Sequence, residues 1–308
     1  MRGGDGALRV ALLSGSGPKY DYLAACLAEQ FRLAVIVRES GTPPSLRGRA
    51  GRAGRDRAYQ RIRQRWTLRD RYRRRFFATA AAPGSVPSGP APAAPVPAAP
   101  VPPGPVPVTV VTVGDPRALA AVRAADFDIA VVCGTSLIRQ PLLAALGCAV
   151  NLHAGYLPWY KGNHTIFFAY RDRSWDRLGS TIHLLDDALD GGAVIATVRP
   201  PLSPRDSDEH LYCRAAQAGI ATLAEALRRI EAGAGPVWAT PQPGQGQMFR
   251  HRDRGPAQDL RVALARLRAA GRPPRAGQVV SWAAREPGSV DVRSLLAGTP
   301  RPPRAEAR

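Results

Sequence analysis

The chain has 308 residues and an apolar fraction of 45%, enough for one catalytic-sized globular domain with additions. Its formal charge of +19 does not by itself specify a polyanion-binding protein, because much of the excess is local: residues 41–80 hold thirteen arginines against Asp56 and Asp70. Lys19 and Lys161 are the only lysines, and a chain this rich in Arg, Ala, Gly and Pro fits a GC-rich coding sequence as readily as selection for anionic partners.

The first element is "LRVALLSG", residues 8–15, an apolar run ended by glycine that reads as a buried strand entering a tight turn. In "KYDYLAACLAEQF" the pairs Tyr22, Cys26 and Leu23, Leu27 share a helical face, and "RLAVIVRE" is a second strand. Strand, helix, strand with short connections predicts parallel pairing. The Arg-rich stretch has Tyr59, Ile62, Trp66 and Leu68 near helical spacing, so a basic helix ending around Phe77 is expected. It reads as a solvated helix capping the sheet ahead of a dedicated polyanion site. Residues 81–107 are low-complexity and proline-rich, and are expected to form an extended, mobile insertion without a core.

Order resumes at residues 108–114, a strand, followed by a helix with Asp115 as N-cap and Pro116 in its first position. The apolar run at 128–134 is another strand, "PLLAALG" a short helix, and "CAVNLH" a strand that delivers Asn151 and His153 to its carboxyl end, where open α/β sheets place ligands. A short helix follows at "TIFFAYRD", then two strands around a turn in residues 179–200. Residues 207–233 form an amphipathic helix with an acidic first turn and a basic last turn. Beyond it come a strand pair within 236–253, a helix near 259–270 and a frayed Pro/Arg-rich tail.

Cys26, Cys133, Cys148 and Cys213 form no C-x-x-C pair and no metal-finger spacing with histidine, so buried free thiols are expected and no metal is implied. The N-terminal apolar run is too short for a signal peptide, and nothing approaches a membrane span. A soluble protein in a reducing, cytoplasmic setting is the expectation.

Asn151, His153 and Asp190 are the candidate reacting residues. A carboxamide can donate to an oxyanion, an imidazole exchanges protons near neutral pH, and a carboxylate beside it fixes its tautomer. "LDDALDGG" supplies Asp186, Asp187 and Asp190, with Gly191 and Gly192 letting the backbone pass close to a ligand. With no Ser or Cys nucleophile nearby, direct transfer without a covalent enzyme intermediate is indicated. His183 reads as a packing or hydrogen-bonding residue, and Trp159 and Tyr160 as either loop packing or a stacking surface for substrate.

"NLHAGYLPWYKGNHT" followed by "GSTIHLLDDALDGGAVI" resembles the paired motifs of the folate-dependent formyltransferases, over roughly residues 8–230 and interrupted by the Arg-rich and Pro-rich insertion. The resemblance implies an α/β, Rossmann-like fold with a mostly parallel sheet and helices on both faces, plus a short irregular C-terminal extension. It divides the chain into a catalytic domain at 7–232, with an Arg-rich helical insertion at 41–80 and a disordered one at 81–107, and an extension at 233–308 with a disordered end. It implies that Asn151 and His153 meet the oxyanion of a tetrahedral formyl intermediate and that Asp190 pairs with His153 and relays protons. Cys133, Gly134, Thr135 and Ser136 would hold the pterin of 10-formyltetrahydrofolate, with Leu185, Asp186 and Asp187 as the opposite wall. Lys19, Trp159, Tyr160 and His164 are the acceptor candidates.

The family's members differ in the amine they formylate. Pro18 and Lys19 in "SGSGPKY" stand where purine-pathway relatives bind a ribose phosphate through small polar residues, which speaks against glycinamide ribonucleotide. The segment after Gly233 shows few alternating strands, so tRNA stays open as a less favoured acceptor, and Leu8 beginning the first strand argues against the hydrolases. The sugar and small-molecule N-formyltransferase branch is the leading reading, with an amino sugar nucleotide or specialised metabolite as acceptor. A non-catalytic RNA- or anion-binding protein on the same fold is the competitor from another class, and a homodimer stays open.

Overall fold

The structure, a computed structural model, describes residues 7–40, 69–79, 105–244, 246–267 and 271–298. β1 (Arg9–Ser14), α1 (Pro18–Ala28) and β2 (Arg32–Glu39) form the expected strand–helix–strand unit with parallel pairing. α2 (Arg69–Thr79), β3 (Val108–Val110), α3 (Pro116–Ala124), β4 (Ile129–Cys133), α4 (Leu142–Leu146) and β5 (Ala149–His153) follow. After them come β6 (Tyr160–Gly162), α5 (Thr165–Arg171), β7 (Ser180–Leu184), β8 (Val194–Arg199) and α6 (Asp208–Ala232). The last elements are β9 (Trp238–Ala239), β10 (Gln247–Phe249), α7 (Pro256–Leu267), β11 (Val279–Trp282), β12 (Val290–Asp291) and α8 (Val292–Gly298).

Eight strands make one sheet in the order β11-β8-β7-β5-β4-β1-β2-β3. The block from β3 to β5 is parallel, whereas β7, β8 and β11 each run antiparallel to the strand before them. β4 is buried along its whole length, which is why its sequence is continuously apolar rather than alternating.

The two faces are covered unequally. On one, Leu12, Val131, Val150, Leu152 and Ile182 pack against α1 and α6 through Leu23, Leu27, Leu223 and Leu227. On the other, Leu13, Val37, Val132 and Ala149 meet α3 and α4 through Ala118, Val122, Leu142 and Leu146. Among the described residues this second cluster takes nothing from β7 or β8, so the helical cover ends at β5. The polar positions of β5 and β7 that share this face therefore fall outside the helical layer.

α6 is set by its ends as the sequence suggests. Ser207 Oγ accepts from His210 N at 3.1 Å, a cap worth about 1 kcal/mol, and Gly233 ends the helix in the left-handed region at φ 69°. Asp208 and Glu209 in its first turn favour the helix dipole and also anchor distant chain: Arg254 pairs with Asp208 at 2.8 Å, and Arg73 pairs with Glu209.

Several expectations need correction. The described part of the basic helix, α2, does not cap the sheet; Tyr72, Phe76 and Phe77 seat it on α1 and α6, with Tyr22 and Phe77 rings 5.6 Å apart. Tyr59, Ile62, Trp66, Leu68 and the proline-rich stretch up to residue 104 lie outside the described residues. The strand expected at 108–114 stops at Val110, where Asp115 N bonds to Thr112 O at 3.0 Å and turns the chain. The strand pair expected within 236–253 does not form: β9 pairs with β12, and β10 runs parallel to β6. Phe249 fixes the second pairing, stacked at 11° on both Tyr160 and Phe168 with centroids 5.7 and 4.1 Å away. The C-terminal extension also supplies β11, an edge strand of the main sheet.

Candidate active site

Strand alternation decides which side chains meet. Val150 and Leu152 point into the α6 side of β5, so Asn151 and His153 point to the opposite face, where α3 and α4 have ended. The antiparallel register pairs Asn151 with His183 and His153 with Thr181, putting four polar side chains on one patch of sheet.

His183 orients Asn151. Its Nδ1 lies 2.8 Å from the Leu184 carbonyl and can only donate to it, so Nε2 accepts from Asn151 Nδ2 at 2.9 Å. Burial, together with the neighbouring His153, pushes the His183 pKa down to about 4, which keeps this neutral tautomer at pH 7. One N–H of the Asn151 carboxamide is thereby engaged and its second remains for another acceptor.

His153 is held from both sides, with Nδ1 3.3 Å from Asp190 Oδ1 and Nε2 3.0 Å from the Tyr160 carbonyl. Both His153 and Asp190 are only 8% exposed. Gly155 makes room for this: an added Cβ would collide with His153 Nε2 and lie 2.6 Å from the Tyr160 carbonyl. Thr181 Oγ1 secures the same loop, donating to Gly155 O at 2.7 Å and accepting from Leu157 N at 3.0 Å.

Asp190 sits in the left-handed region at φ 51°, an uncommon conformation for a residue with a Cβ. Its Oδ2 accepts from Gly162 N at 2.8 Å. Gln242 Nε2 ties down the backbone, donating to Asp190 O at 2.9 Å and Gly192 O at 2.8 Å. The carboxylate is thus positioned by β6, by the turn it belongs to and by a residue from the C-terminal segment.

The other expected site residues distribute unevenly. Cys133 turns its thiol into the α1-side core, where burial raises its pKa, and its carbonyl accepts from Gly15 N at 3.1 Å. Ser136 donates from N at 3.1 Å and from Oγ at 2.8 Å to Glu39, and Thr135 Oγ1 donates to Ser136 O at 3.0 Å. Gly134 lies beneath the Tyr20 ring at φ 66°. Leu185 N donates to Ala149 O at 2.8 Å, and Asp187 is exposed. Asp186 accepts from Ala188 N at 3.2 Å, and partial burial raises its carboxyl pKa.

On the acceptor side, Lys19 places its ammonium over the Tyr20 and Tyr212 rings, 4.3 and 5.6 Å from their centroids. Trp159 is 37% exposed, beside Tyr156 and under the Arg177 guanidinium at 4.6 Å. His164 has φ 56°, and its Nε2 lies 3.2 Å from His251 Nδ1. Tyr160 is a correction: its ring is buried against Phe249 and its hydroxyl donates to Ser174 Oγ at 2.8 Å, so it offers no stacking surface. Its backbone carbonyl, not its ring, belongs to the site.

Sequence reasoning missed Thr181 and Gln242 as site residues and placed His183 without its partner. The alternation in "GSTIH" carries a signal for the first and third. Gln242 acts from some fifty residues downstream of Asp190 and Gly192, and no local pattern announces it. Among the described residues no group of three or more His, Cys, Asp or Glu side chains could hold a metal ion, and no helix is long and apolar enough to cross a membrane.

An open, mostly parallel α/β sheet with a largely buried Asn–His–Asp cluster at the carboxyl end of β5 is the class of protein defined here. Residues 92–227 match the family model described as formyl transferase. It is similar to the methionyl-tRNA formyltransferase of Synechococcus sp. (strain JA-3-3Ab), 34% identical over 122 residues that cover 39% of this chain and 37% of that protein. The chain thus spans less than half the length of the curated relatives it matches. Among solved structures it is similar to the formyltransferase PseJ from Anoxybacillus kamchatkensis, in complex with UDP-4,6-dideoxy-4-formamido-L-AltNAc and tetrahydrofolate. That likeness is 27% identity over 42% of this chain and 67% of that one, with a TM-score of 0.36. A sugar N-formyltransferase from Shewanella sp FDAARGOS_354 is 14% identical, covering 84% and 87% of the two chains, with a TM-score of 0.49.

Proposed function

We propose that the protein transfers a formyl group from 10-formyltetrahydrofolate to the primary amine of a small molecule, an amino sugar nucleotide or a specialised metabolite. The observation that carries the reading is the line Asp190–His153 with Asn151 beside it, on a stretch of sheet beyond the cluster that packs α3 and α4. The folate co-substrate supplies an electrophilic formyl carbon. The free N–H of Asn151 is a donor for negative charge developing on the formyl oxygen, and His153 joins it when Nε2 turns from the Tyr160 carbonyl, 3.0 Å away, to the substrate. Asp190 holds the imidazole in place and balances its charge as the amine gives up its proton. As the amine nitrogen bonds to the formyl carbon, the bond from that carbon to the folate nitrogen breaks, and the amine proton replaces it there.

The residues fit a pterin-bearing co-substrate. Leu137 and Leu189, 41% and 46% exposed, stand on the loops after β4 and β7, the strands on either side of β5. Apolar side chains beside backbone groups suit a flat heteroaromatic ring with many donors and acceptors. The four cysteines are free and buried, which supports a reducing, cytoplasmic setting.

The test is tetrahydrofolate release from 10-formyltetrahydrofolate over a panel of amines, with a no-acceptor control and Asp190→Asn. Release that requires one acceptor class and vanishes in the variant is the expected result. Release without acceptor indicates a hydrolase, and absence of both release and folate binding sinks the reading. Methionyl-tRNA belongs in the panel as the second reading, favoured by the likeness to methionyl-tRNA formyltransferases.

A further inference from the structure

The parallel block changes winding direction between β1 and β4, with β2 and β3 continuing on one side and β5 on the other. Sheets of this kind take ligands in the crevice outside the carboxyl ends of the strands at that point, with anionic groups at the N-terminus of the following helix. In this chain the crevice is filled from within.

Tyr20, in the first turn of α1, lays its ring over the backbone of Gly15 and Gly134, the residues that follow β1 and β4. A Cβ added at Gly15 would lie 2.8 Å from Tyr20 Cζ, and one at Gly134 would collide with the Tyr20 hydroxyl. The two turns are bridged beneath the ring by Gly15 N donating to Cys133 O at 3.1 Å. The Lys19 ammonium lies on the same ring at 4.3 Å from its centroid. Independently, Glu39 ends β2, where folds of this type present a carboxylate to ribose hydroxyls. Its carboxylate accepts instead from Val113 N at 2.9 Å, Ser136 N at 3.1 Å and Ser136 Oγ at 2.8 Å. A phosphate ester entering here would meet a tyrosine in place of open backbone, and a carboxylate already committed to the protein.

We propose that Tyr20 is a specificity-determining residue that closes the crevice between β1 and β4 to phosphate esters, so that the acceptor is held on the β5–β7 side, by the 158–164 loop and its β10 partner. As a statement about the acceptor this rests on the formyl-transfer reading. As a statement about the crevice it is read by ligand binding alone.

Ribose 5-phosphate titrated calorimetrically into the full chain tests it, with wild type, Tyr20→Phe, Tyr20→Ala and Lys19→Ala compared. Wild type and Tyr20→Phe are expected to show no binding at the crevice. Tyr20→Ala, which removes the ring and leaves the Lys19 ammonium beside the start of α1 with the more distant Tyr212 ring, is expected to gain at least about tenfold in affinity. A folded Tyr20→Ala with no gain overturns the proposal. So does wild-type binding that weakens about tenfold in Lys19→Ala, a comparison that stands even if Tyr20→Ala fails to fold. Folate binding, measured on the same samples, separates this outcome from a failure of the formyl-transfer reading.

Discussion

Asp190 Oδ1 lies 3.3 Å from His153 Nδ1, while Oδ2 of the same carboxylate takes Gly162 N at 2.8 Å. One side chain thus sets the imidazole and locks the loop whose Tyr160 carbonyl faces the other side of that ring at 3.0 Å. Its two oxygens do different work, electrostatic and architectural, and the two can be separated.

Asp190→Asn keeps the size of the side chain and an oxygen for Gly162 N but removes the charge beside His153. Formyl transfer is expected to fall by about 10²–10⁴-fold, the range of a general acid–base contribution. Thermal unfolding should move little. Steady-state kinetics beside a melting curve makes the separation, and a large drop in melting temperature would instead make Asp190 chiefly architectural.

Gly155→Ala should injure the site without touching a reacting group. The added methyl collides with His153 Nε2 and lies 2.6 Å from the Tyr160 carbonyl, so the ring or the loop must shift. Overpacking of this kind costs about 1–3 kcal/mol, and displacement of the imidazole should lower kcat more than it raises KM. Denaturant unfolding and kinetics on the same sample read both.

His183 makes stability depend on pH. Its folded pKa of about 4 lies below the ordinary value of 6.5, so between those values the unfolded chain binds the extra proton. The stabilisation is complete above pH 6.5, declines as pH falls and is gone below about pH 4. The loss is on the order of 3 kcal/mol for a shift of this size. Urea unfolding at pH 7 and pH 5 should show the decline in wild type and a shallower slope in His183→Gln. Equal slopes would assign the pH dependence to other groups.

Gln242→Ala removes both hydrogen bonds that hold the turn at Asp190 and Gly192. About 1–3 kcal/mol of stability should be lost, with a fall in kcat as Asp190 loosens from His153. Hydrogen exchange at residues 190–192 should quicken relative to β8, which follows them. Unchanged exchange there would show that the DGG turn holds without Gln242.

Much of this molecule is determined by the chain taken locally. The apolar runs of β1, β4 and β5, the caps Asp115, Ser207 and Gly233, and the parallel order of the first strands follow from periodicity and capping chemistry, which act over a few residues. The proximity of Asn151 and His153 was legible for the same reason, since alternation puts residues two apart on one face of a strand. Tertiary structure decided the rest. That His183 orients Asn151 depends on a register between β5 and β7 across some thirty residues of chain. That Tyr160 is buried, that Gln242 holds the Asp190 turn and that β10 pairs with β6 depend on where the C-terminal segment docks, fixed by Phe249 between Tyr160 and Phe168. Local propensity encodes which elements form; packing between distant segments chooses which side chains are left facing a substrate, because only there do burial and long-range hydrogen bonds compete for the same surface.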